Sequence, residues 1–330
     1  MSKPAGKILV IRGGAIGDFV LTLPVLRALR THFPDTHLEV LGYRHIAQLA
    51  LAGGLADEVR SIEARPLAGF FAPAGELTPQ LQEYFAGFAV VLSYLYDPDQ
   101  IFQANVARCS RAQFIAGPHR PEESAATHAT EVFLKPLQRL AIFEADPVPQ
   151  LKLRSPAATP WGHDGGHRVD PEAGSPASGK LEAGGPLALH PGSGSERKNW
   201  PQAKWAQLLQ TLAGSAATKL LLVGGEAEGH RLDELACRLP ADRVATARSL
   251  PLVELAQRLA NCAAFVGHDS GITHLAAALG LPGLVLWGET TRAIWSPRGA
   301  HMRIMAEPGG LEHLSVERVA AEVSHLLAPS

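Results

Sequence analysis

Residues 7–30 read KILVIRGGAIGDFVLTLPVLRALR, and this segment predicts how the whole chain is built. Lys7–Arg12 is a short run rich in β-branched residues, and after the glycines apolar side chains recur at near-helical spacing up to Phe33. The pattern predicts a strand, a loop and a helix in succession. Because Pro24 has no N–H to donate, we expect the helix either to kink there or to start afresh with Thr22 as its cap.

The same alternation of strand and helix recurs along the chain. The other apolar runs that we interpret as strands are His37–Leu41, Val90–Leu95, Leu187–His190, Lys219–Val223, Ala263–Val266 and Leu284–Trp287. Segments with helical periodicity lie between them, and this alternation is typical of parallel sheets covered by helices on both faces. In such sheets, ligands bind to the loops at the carboxyl ends of the strands.

Residues 155–185 interrupt the alternation with a segment rich in Pro, Gly, Ala and Ser that has no apolar periodicity. We interpret it as an exposed linker, and we interpret His163 and His167 as ordinary linker residues rather than metal ligands. The predicted organisation is an N-terminal domain over residues 1–154, this linker, and a C-terminal domain over residues 186–330. The last helix of the C-terminal domain is free to pack back on the N-terminal domain.

The composition excludes several classes of protein. Of the 330 residues, 46% are hydrophobic and 19% are charged, so the chain can bury a large core. Thirty Lys and Arg residues face 32 Asp and Glu residues, and a net charge of −2 does not supply the positive field that nucleic-acid binding needs. Cys109, Cys237 and Cys262 form no C-x-x-C pair and indicate a reducing cytoplasm. No signal peptide or membrane-spanning segment is recognised, although association with a membrane surface stays open.

The loop after the first predicted strand carries a candidate catalytic group. Gly14 and Gly17 let the backbone approach a ligand, and Asp18 stands at the start of the following helix. The loop matches neither G-x-G-x-x-G nor a Walker A pattern, and no acidic residue follows the next strand to bind an NAD ribose. Two interpretations of Asp18 stay open: a helix residue stabilised by the helix dipole, and a general base that faces a cleft.

Two further loops combine small residues with charged groups. Residues 190–201 (HPGSGSERKNWP) offer backbone N–H groups and hydroxyls beside Lys198, which favours a phosphate cradle over an ordinary solvated turn. Residues 267–274 (GHDSGITH) form a polar turn before another helix. There Asp269 or Ser270 either caps the helix or helps to bind an anion.

The remaining candidates are weaker. Glu226 follows a neighbouring strand, where it either binds a ribose diol or starts a helix, and His274 is first of all a candidate core histidine. Asp97 and Asp99 are able to hold a divalent cation, but Asp-Pro pairs commonly form turns. Because the sequence has neither a G-x-S-x-G elbow nor an H-E-x-x-H pair, two common classes of hydrolase are disfavoured.

Together the three loops resemble those of glycosyltransferase family 9, the lipopolysaccharide heptosyltransferases. The resemblance rests on residues 7–30, on HPGSGSERKNWP, and on FVGHDSGITHLAAALGLPGLVLWG at residues 265–288. It implies an α/β GT-B fold, in which two Rossmann-like domains enclose a cleft. It also implies that the N-terminal domain binds the acceptor and the C-terminal domain binds the nucleotide sugar.

The resemblance implies roles for individual residues as well. Asp18 matches the proposed catalytic base of the family, Glu226 its ribose-binding acid and Leu250 its adenine-side segment. The residues that match donor-binding positions are Gly14, Gly17, Ser193, Gly194, Lys198, Glu226, Leu250, Asp269, Ser270, Gly271, Thr273 and His274. The loop that contains Lys198 is one residue longer than in the better-known members of the family.

The implied reaction is an inverting, metal-independent transfer of heptose from ADP-heptose to a lipopolysaccharide core, in the cytoplasm. The nucleotide sugar is a co-substrate, no other cofactor and no nucleic-acid partner is expected, and peripheral contact with the inner membrane stays open. One alternative is a GT-B transferase with a different nucleotide sugar, or with a protein or surface polysaccharide as acceptor. Another is a sugar-nucleotide-binding protein without activity. A nicotinamide-dependent oxidoreductase is disfavoured because the acidic ribose residue is missing.

Overall fold

The computed structural model describes residues 6–153, 185–214, 218–225 and 228–328. Contacts within the chain divide it into two compact units, Met1–Arg154 with Thr290–Gly299, and Ser155–Glu289 with Ala300–Ser330. The predicted linker lies outside the described residues except for Gly185, and His163 and His167 lie outside them too. Within the described part of the chain, no helix is both long and apolar enough to span a bilayer.

The first unit is built on a five-stranded parallel sheet. Its strands are β1 (Lys7–Arg12), β2 (Leu38–Gly42), β3 (Glu58–Ser61), β4 (Phe88–Ser93) and β5 (Gln113–Ala116), in the order β3-β2-β1-β4-β5. Its helices are α1 (Ile16–Val20), α2 (Leu23–His32), α3 (Arg44–Ala52), α4 (Pro79–Ala86), α5 (Ile101–Ala107) and α6 (Ala129–Leu134). Central strands such as β1 are buried on both faces, which is why they read as continuous apolar runs.

Of the two predicted outcomes for the first helix, a kink or a fresh start, the structure shows the fresh start, since α1 ends at Val20 and α2 begins at Leu23. Thr22 is the N-cap residue of α2, as predicted, but its side chain makes no capping hydrogen bond. The backbone of Thr22 is helical (φ −93°, ψ −10°), whereas a capping residue is normally extended. Its hydroxyl therefore turns back and donates to the carbonyl oxygen of Asp18 at 2.8 Å.

The second unit repeats the plan with six parallel strands. They are β6 (Leu187–His190), β7 (Leu220–Gly224), β8 (Val244–Arg248), β9 (Ala264–His268), β10 (Gly283–Trp287) and β11 (Met302–Ala306), in the order β11-β10-β9-β6-β7-β8. The helices are α7 (Gln202–Gly214), α8 (Gly229–Ala236), α9 (Leu252–Ala260), α10 (Gly271–Ala278), α11 (Arg292–Trp295) and α12 (Val316–Leu327), of which α11 belongs to the first unit. The expected pair of parallel α/β domains is thus present.

The last helix, α12, belongs to the second unit. Val319 and Val323 of α12 are fully buried in the core of the second unit, and α12 contacts α7, β9 and β10. Its apolar face matches this core, so burial there removes the most apolar surface from water. Thr290–Gly299, between β10 and β11, belongs to the first unit. There the Ser296 carbonyl lies 2.8 Å from Nε2 of His128.

Candidate functional site

Asp18 lies in the first turn of α1, at the carboxyl end of β1. Its Oδ2 accepts a hydrogen bond from the backbone N–H of Ala15 at 3.0 Å, so the carboxylate folds back over its own loop. Gly14 has a φ of +100°, and a Cβ atom there would lie 2.7 Å from Oδ2 of Asp18. Glycine is therefore required at this position for the backbone conformation and for space. Gly17 lies within α1, next to Asp18.

A buried guanidinium supports this carboxylate from the end of β1. Arg12 is only 3% exposed, and its Nη2 lies 3.5 Å from Oδ1 of Asp18 and 3.3 Å from the Asp18 carbonyl oxygen. Its Nη1 donates to the carbonyl of His119 at 2.9 Å, and the ring of Phe133 lies 4.5 Å from the guanidinium carbon. Burial lowers the pKa of Arg12 and the charge of Asp18 opposes this change, so the group stays cationic.

In the second unit, two loops meet at the carboxyl edge of the sheet. Because β6 and β9 are neighbours, with His190 opposite Gly267, the segments that follow them lie side by side. Lys198 ends a short 3-10 helix, and its Nζ lies 2.7 Å from Oδ2 of Asp269. The side chain of Asp269 is 7% exposed and that of Lys198 is 35% exposed. The pair therefore offers solvent a cation held by a buried anion.

His268 connects the two ends of the loop between β6 and α7. Its Nε2 accepts a hydrogen bond from the backbone N–H of Trp200 at 2.8 Å, and its Nδ1 lies 3.4 Å from the carbonyl oxygen of Gly192. Burial, together with the neighbouring His190, lowers the pKa of His268 to about 3. The ring is therefore neutral near pH 7, as its role as an acceptor from Trp200 requires.

The tip of this loop is open. Gly194 has a φ of +72°, and apart from Gly194 itself and its two chain neighbours no heavy atom among the described residues lies within 4 Å of where its Cβ would be. The hydroxyl of Ser193 lies 2.6 Å from Oδ1 of Asn199 and 2.9 Å from the carbonyl oxygen of Ser195, so it braces the loop from within. The result is an exposed glycine turn beside Lys198, as a phosphate-binding loop requires.

The turn before α10 divides its roles between neighbouring residues. Ser270 is the helix cap, because its Oγ accepts a hydrogen bond from the Thr273 backbone N–H at 3.2 Å. The Thr273 hydroxyl donates to the carbonyl of His268 and fixes the turn. Asp269 instead pairs with Lys198, Gly271 begins the helix, and His274 is buried on it.

Comparisons with known proteins find similar sequences and similar folds. Residues 167–316 match the profile of glycosyltransferase family 9 (heptosyltransferase). The chain is 24% identical to lipopolysaccharide heptosyltransferase 3 of Escherichia coli over 304 residues, which is 87% of this chain and 84% of the relative. The structure of E. coli ADP-heptose lipopolysaccharide heptosyltransferase II shares the fold with a TM-score of 0.70, at 17% identity over 97% of this chain and 98% of that chain.

The chain is a glycosyltransferase that resembles the heptosyltransferases of family 9. The parallel sheets of its two units are those of the GT-B fold, as the sequence predicts. A structure with a lower TM-score of 0.51, at 14% identity over 93% of this chain and 65% of that chain, is an iron-containing dodecameric glycosyltransferase, TibC, of enterotoxigenic E. coli.

The glycosyltransferase has an acidic residue near β7 that sequence reasoning missed. Glu226 lies outside the described residues. Glu228 accepts a hydrogen bond from the backbone N–H of Gly225 at 2.7 Å, and its carboxylate fills the space that a Cβ on Gly192 would need. Its position just before α8 is the feature of the sequence that could have identified it as a candidate. An acid there can both start the helix and face the loop after β6.

A cavity of about 670 Å³ opens beside this acid in the glycosyltransferase. Its walls come from the loop after β6, from the start of α7 and from α8, with Glu228 on the polar side and Trp205 and Leu232 on the apolar side. Leu250 follows β8 along the same edge, where the backbone N–H of Ser249 donates to the Gly224 carbonyl at 2.9 Å. The loops after these strands therefore lie side by side along one edge of the sheet, in the order β9, β6, β7 and β8.

The first unit has two groups of acidic residues to consider as metal sites: Asp97 with Asp99, which the sequence suggested, and a cluster that the structure brings together. Both carboxylate oxygens of Asp97 accept hydrogen bonds from backbone N–H groups at the start of α5, at 3.0 and 3.1 Å, so Asp97 acts as a helix cap. His37, Glu39 and Glu58 do cluster, but at the amino ends of β2 and β3. There Nε of Arg60 lies 2.9 Å from Oε1 of Glu39 and supplies a cation.

Proposed function

We propose that this glycosyltransferase transfers heptose from ADP-heptose to the core of lipopolysaccharide, with inversion at the anomeric carbon and without a metal ion. One observation carries the proposal. The first unit presents a carboxylate, Asp18, and the second presents an ammonium group, Lys198, each at the carboxyl edge of its sheet and each beside a glycine turn. The relatives named for heptosyl transfer support the choice of donor and acceptor.

The donor diphosphate is assigned to the second unit. Lys198, the backbone around Gly194 and the amino end of α10 at Ser270 and Gly271 provide a cation and N–H donors. These groups stabilise the negative charge that grows on the leaving ADP, which is the work a divalent cation performs elsewhere. The neighbouring acid, Glu226 or Glu228, is assigned to the ribose diol, and Leu250 to the adenine.

The proton transfer is assigned to Asp18. As the acceptor hydroxyl oxygen forms its bond to the anomeric carbon, its proton passes to the Asp18 carboxylate. The bond from that carbon to the diphosphate oxygen breaks at the same time, and its electron pair leaves with ADP. Attack opposite the leaving group inverts the anomeric centre. Arg12 and Gly14 hold the carboxylate in one position for this step.

Transfer itself is the test. The purified protein is incubated with ADP-heptose and heptose-free lipopolysaccharide core, and mass spectrometry detects the gain of one heptose. We expect transfer that persists in EDTA, and an anomeric configuration by NMR opposite to that of the donor. Since TibC is iron-containing, an activity lost in EDTA and restored by iron would refute the metal-free mechanism.

Parallel reactions with UDP- and GDP-sugars test the choice of donor. Transfer from those sugars alone would keep the transferase and refute ADP-heptose. Binding of nucleotide sugar without transfer to any acceptor would favour the inactive binding protein. A cytoplasmic location and peripheral contact with the inner membrane stay predictions.

A further inference from the structure

An exposed aromatic side chain stands at the carboxyl edge of the first sheet. Tyr96 follows β4 and is 72% exposed, although tyrosine rings are more often largely covered. Its ring lies 4.6 Å from the ring of His119, which follows β5, at an interplanar angle of 59°. Since β4 and β5 are neighbours, two consecutive loops of the edge present one aromatic pair to solvent.

This pair is tied to the loop that carries Asp18. A Cβ atom on Gly13 would lie 3.9 Å from Cδ2 of Leu95, which places the residue before Tyr96 against the glycine loop. On the other side, Arg12 donates to the His119 carbonyl at 2.9 Å while its other nitrogen contacts Asp18. The buried guanidinium of Arg12 therefore contacts both the carboxylate of Asp18 and the backbone of His119.

We propose that Tyr96 and His119 form a platform on which a sugar ring of the acceptor stacks, so that a hydroxyl of that ring meets Asp18. The apolar C–H face of a pyranose fits the electron-rich face of an aromatic ring, and the phenol can also bond to a ring hydroxyl. The inference rests on the proposed function, because it takes Asp18 as the base. It adds where the acceptor lies and what it presents: a sugar face rather than a peptide or a lipid chain.

The first unit offers a matched control for exposure. Phe143 is 73% exposed, but it lies in the segment between a 3-10 helix at Lys135–Leu140 and the end of the unit, not after a strand of the sheet. Removal of this ring takes away as much exposed aromatic surface as removal of Tyr96. A general effect of exposed aromatic surface would therefore appear in both variants.

The test compares Tyr96→Ala, Tyr96→Phe and Phe143→Ala, with saturating ADP-heptose and a range of heptose-free lipopolysaccharide core. We expect Tyr96→Ala to raise the acceptor KM about five- to tenfold, as loss of an aromatic stacking contact does. The acceptor KM of Tyr96→Phe should stay within about threefold of the wild-type value. The acceptor KM of Phe143→Ala should equal the wild-type value. An acceptor KM for Tyr96→Ala equal to that of Phe143→Ala, or an equally large effect of Tyr96→Phe, would overturn the proposal.

A binding measurement separates this inference from the proposed function. Saturation-transfer NMR without donor reports which ring protons of free hexoses, heptoses and acidic sugars touch the protein. If no transfer reaction occurs, the proposed function fails, but saturation of a sugar ring that vanishes in Tyr96→Ala and persists in Tyr96→Phe still supports the platform. Absence of saturation in the wild type, or saturation that is independent of residue 96, overturns it.

Discussion

The two units carry ion pairs of opposite polarity at corresponding edges. In the first unit the cation is buried and the anion is accessible, because the side chain of Arg12 is 3% exposed and that of Asp18 is 27% exposed. In the second unit the anion is buried and the cation is accessible, with 7% for Asp269 and 35% for Lys198. In the proposed reaction, the accessible anion of the first unit is the base and the accessible cation of the second unit stabilises the leaving diphosphate.

The buried member of each pair explains why the accessible one keeps its place. A charge inside a protein is costly unless it is paired, so the buried partner holds the accessible group at short range. The distances differ, however: 2.7 Å between Nζ of Lys198 and Oδ2 of Asp269, against 3.5 Å between Nη2 of Arg12 and Oδ1 of Asp18. The buried partner therefore lies closer to the accessible group in the second unit than in the first.

Removal of the accessible anion should have the largest effect. Asp18→Asn keeps the size of the side chain but removes the base, and we expect turnover to fall about 10³-fold or more. The measurement is initial-rate heptosyl transfer at saturating substrates. A thermal midpoint near that of the wild type shows that the variant is folded, and turnover within tenfold of the wild type would contradict the assignment of the base.

Removal of the accessible cation, Lys198, should have the second-largest effect on turnover. Lys198→Met takes away the charge that stabilises the leaving diphosphate, and we expect kcat to fall about 10²- to 10³-fold, as for loss of an oxyanion donor. Asp269→Asn keeps the cation but weakens its anchor, so its loss in kcat should be smaller. An Asp269→Asn enzyme as impaired as Lys198→Met, with normal thermal stability, would mean that Asp269 acts on substrate directly.

A shift of the Asp18 carboxylate that does not remove it should lower kcat by less than either of these substitutions. In Gly14→Ala the new methyl group meets the Asp18 carboxylate at 2.7 Å and the backbone is strained, so we expect kcat to fall about 10²-fold. Gly13→Ala is the matched control, because a Cβ at Gly13 meets only Leu95, at 3.9 Å. Equal activities of the two variants would show that the loop tolerates a shifted carboxylate.

The smallest effect at neutral pH should come from the protonation of His268. The neutral ring of this residue holds the loop of the second unit in place. Its native pKa of about 3 lies below the ordinary 6.5, so the unfolded chain binds more protons between these values. The free energy of unfolding should therefore fall as the pH drops below 6.5, by about 2 kcal/mol at pH 5 from this ring.

The variant His268→Gln isolates that contribution. Urea unfolding at pH 7 and pH 5 gives the stability difference between wild type and variant at each pH. This difference should be about 2 kcal/mol smaller at pH 5, because only the wild type loses the contribution of a neutral ring. A difference that does not change with pH would mean that the ring has the same pKa in the native protein as in the unfolded chain, which would contradict its burial in the neutral form.

Central and edge strands differed in how well the sequence predicted them. The boundaries of β1 and β6 were predicted to the residue, since each is a buried apolar run that ends before a glycine-bearing loop. The four strands that were missed, β3, β5, β8 and β11, are the edge strands of the two sheets. A strand with one neighbour buries less surface and needs fewer apolar residues, so a segment such as Glu58–Ser61 (EVRS) gives little signal.

The candidate site shows the same division between local and long-range information. Loops with glycine, serine and charge identified Asp18, Lys198 and Asp269 as candidates. The pairing of Lys198 with Asp269 joins residues 71 positions apart and depends on β6 lying beside β9, which spacing along the chain does not encode. Arg12 was missed because the last residue of an apolar strand gives no sign of the direction of its side chain.

Calorimetric titration of ADP tests the division of charge between the units most directly. The wild type, Asp18→Asn and Lys198→Met are each titrated in EDTA, with UDP and GDP as comparison nucleotides. We predict preferential binding of ADP by the wild type, an unchanged Kd in Asp18→Asn and a Kd about tenfold higher in Lys198→Met. ADP binding that requires a metal ion, or that weakens with Asp18→Asn and not with Lys198→Met, would contradict the account.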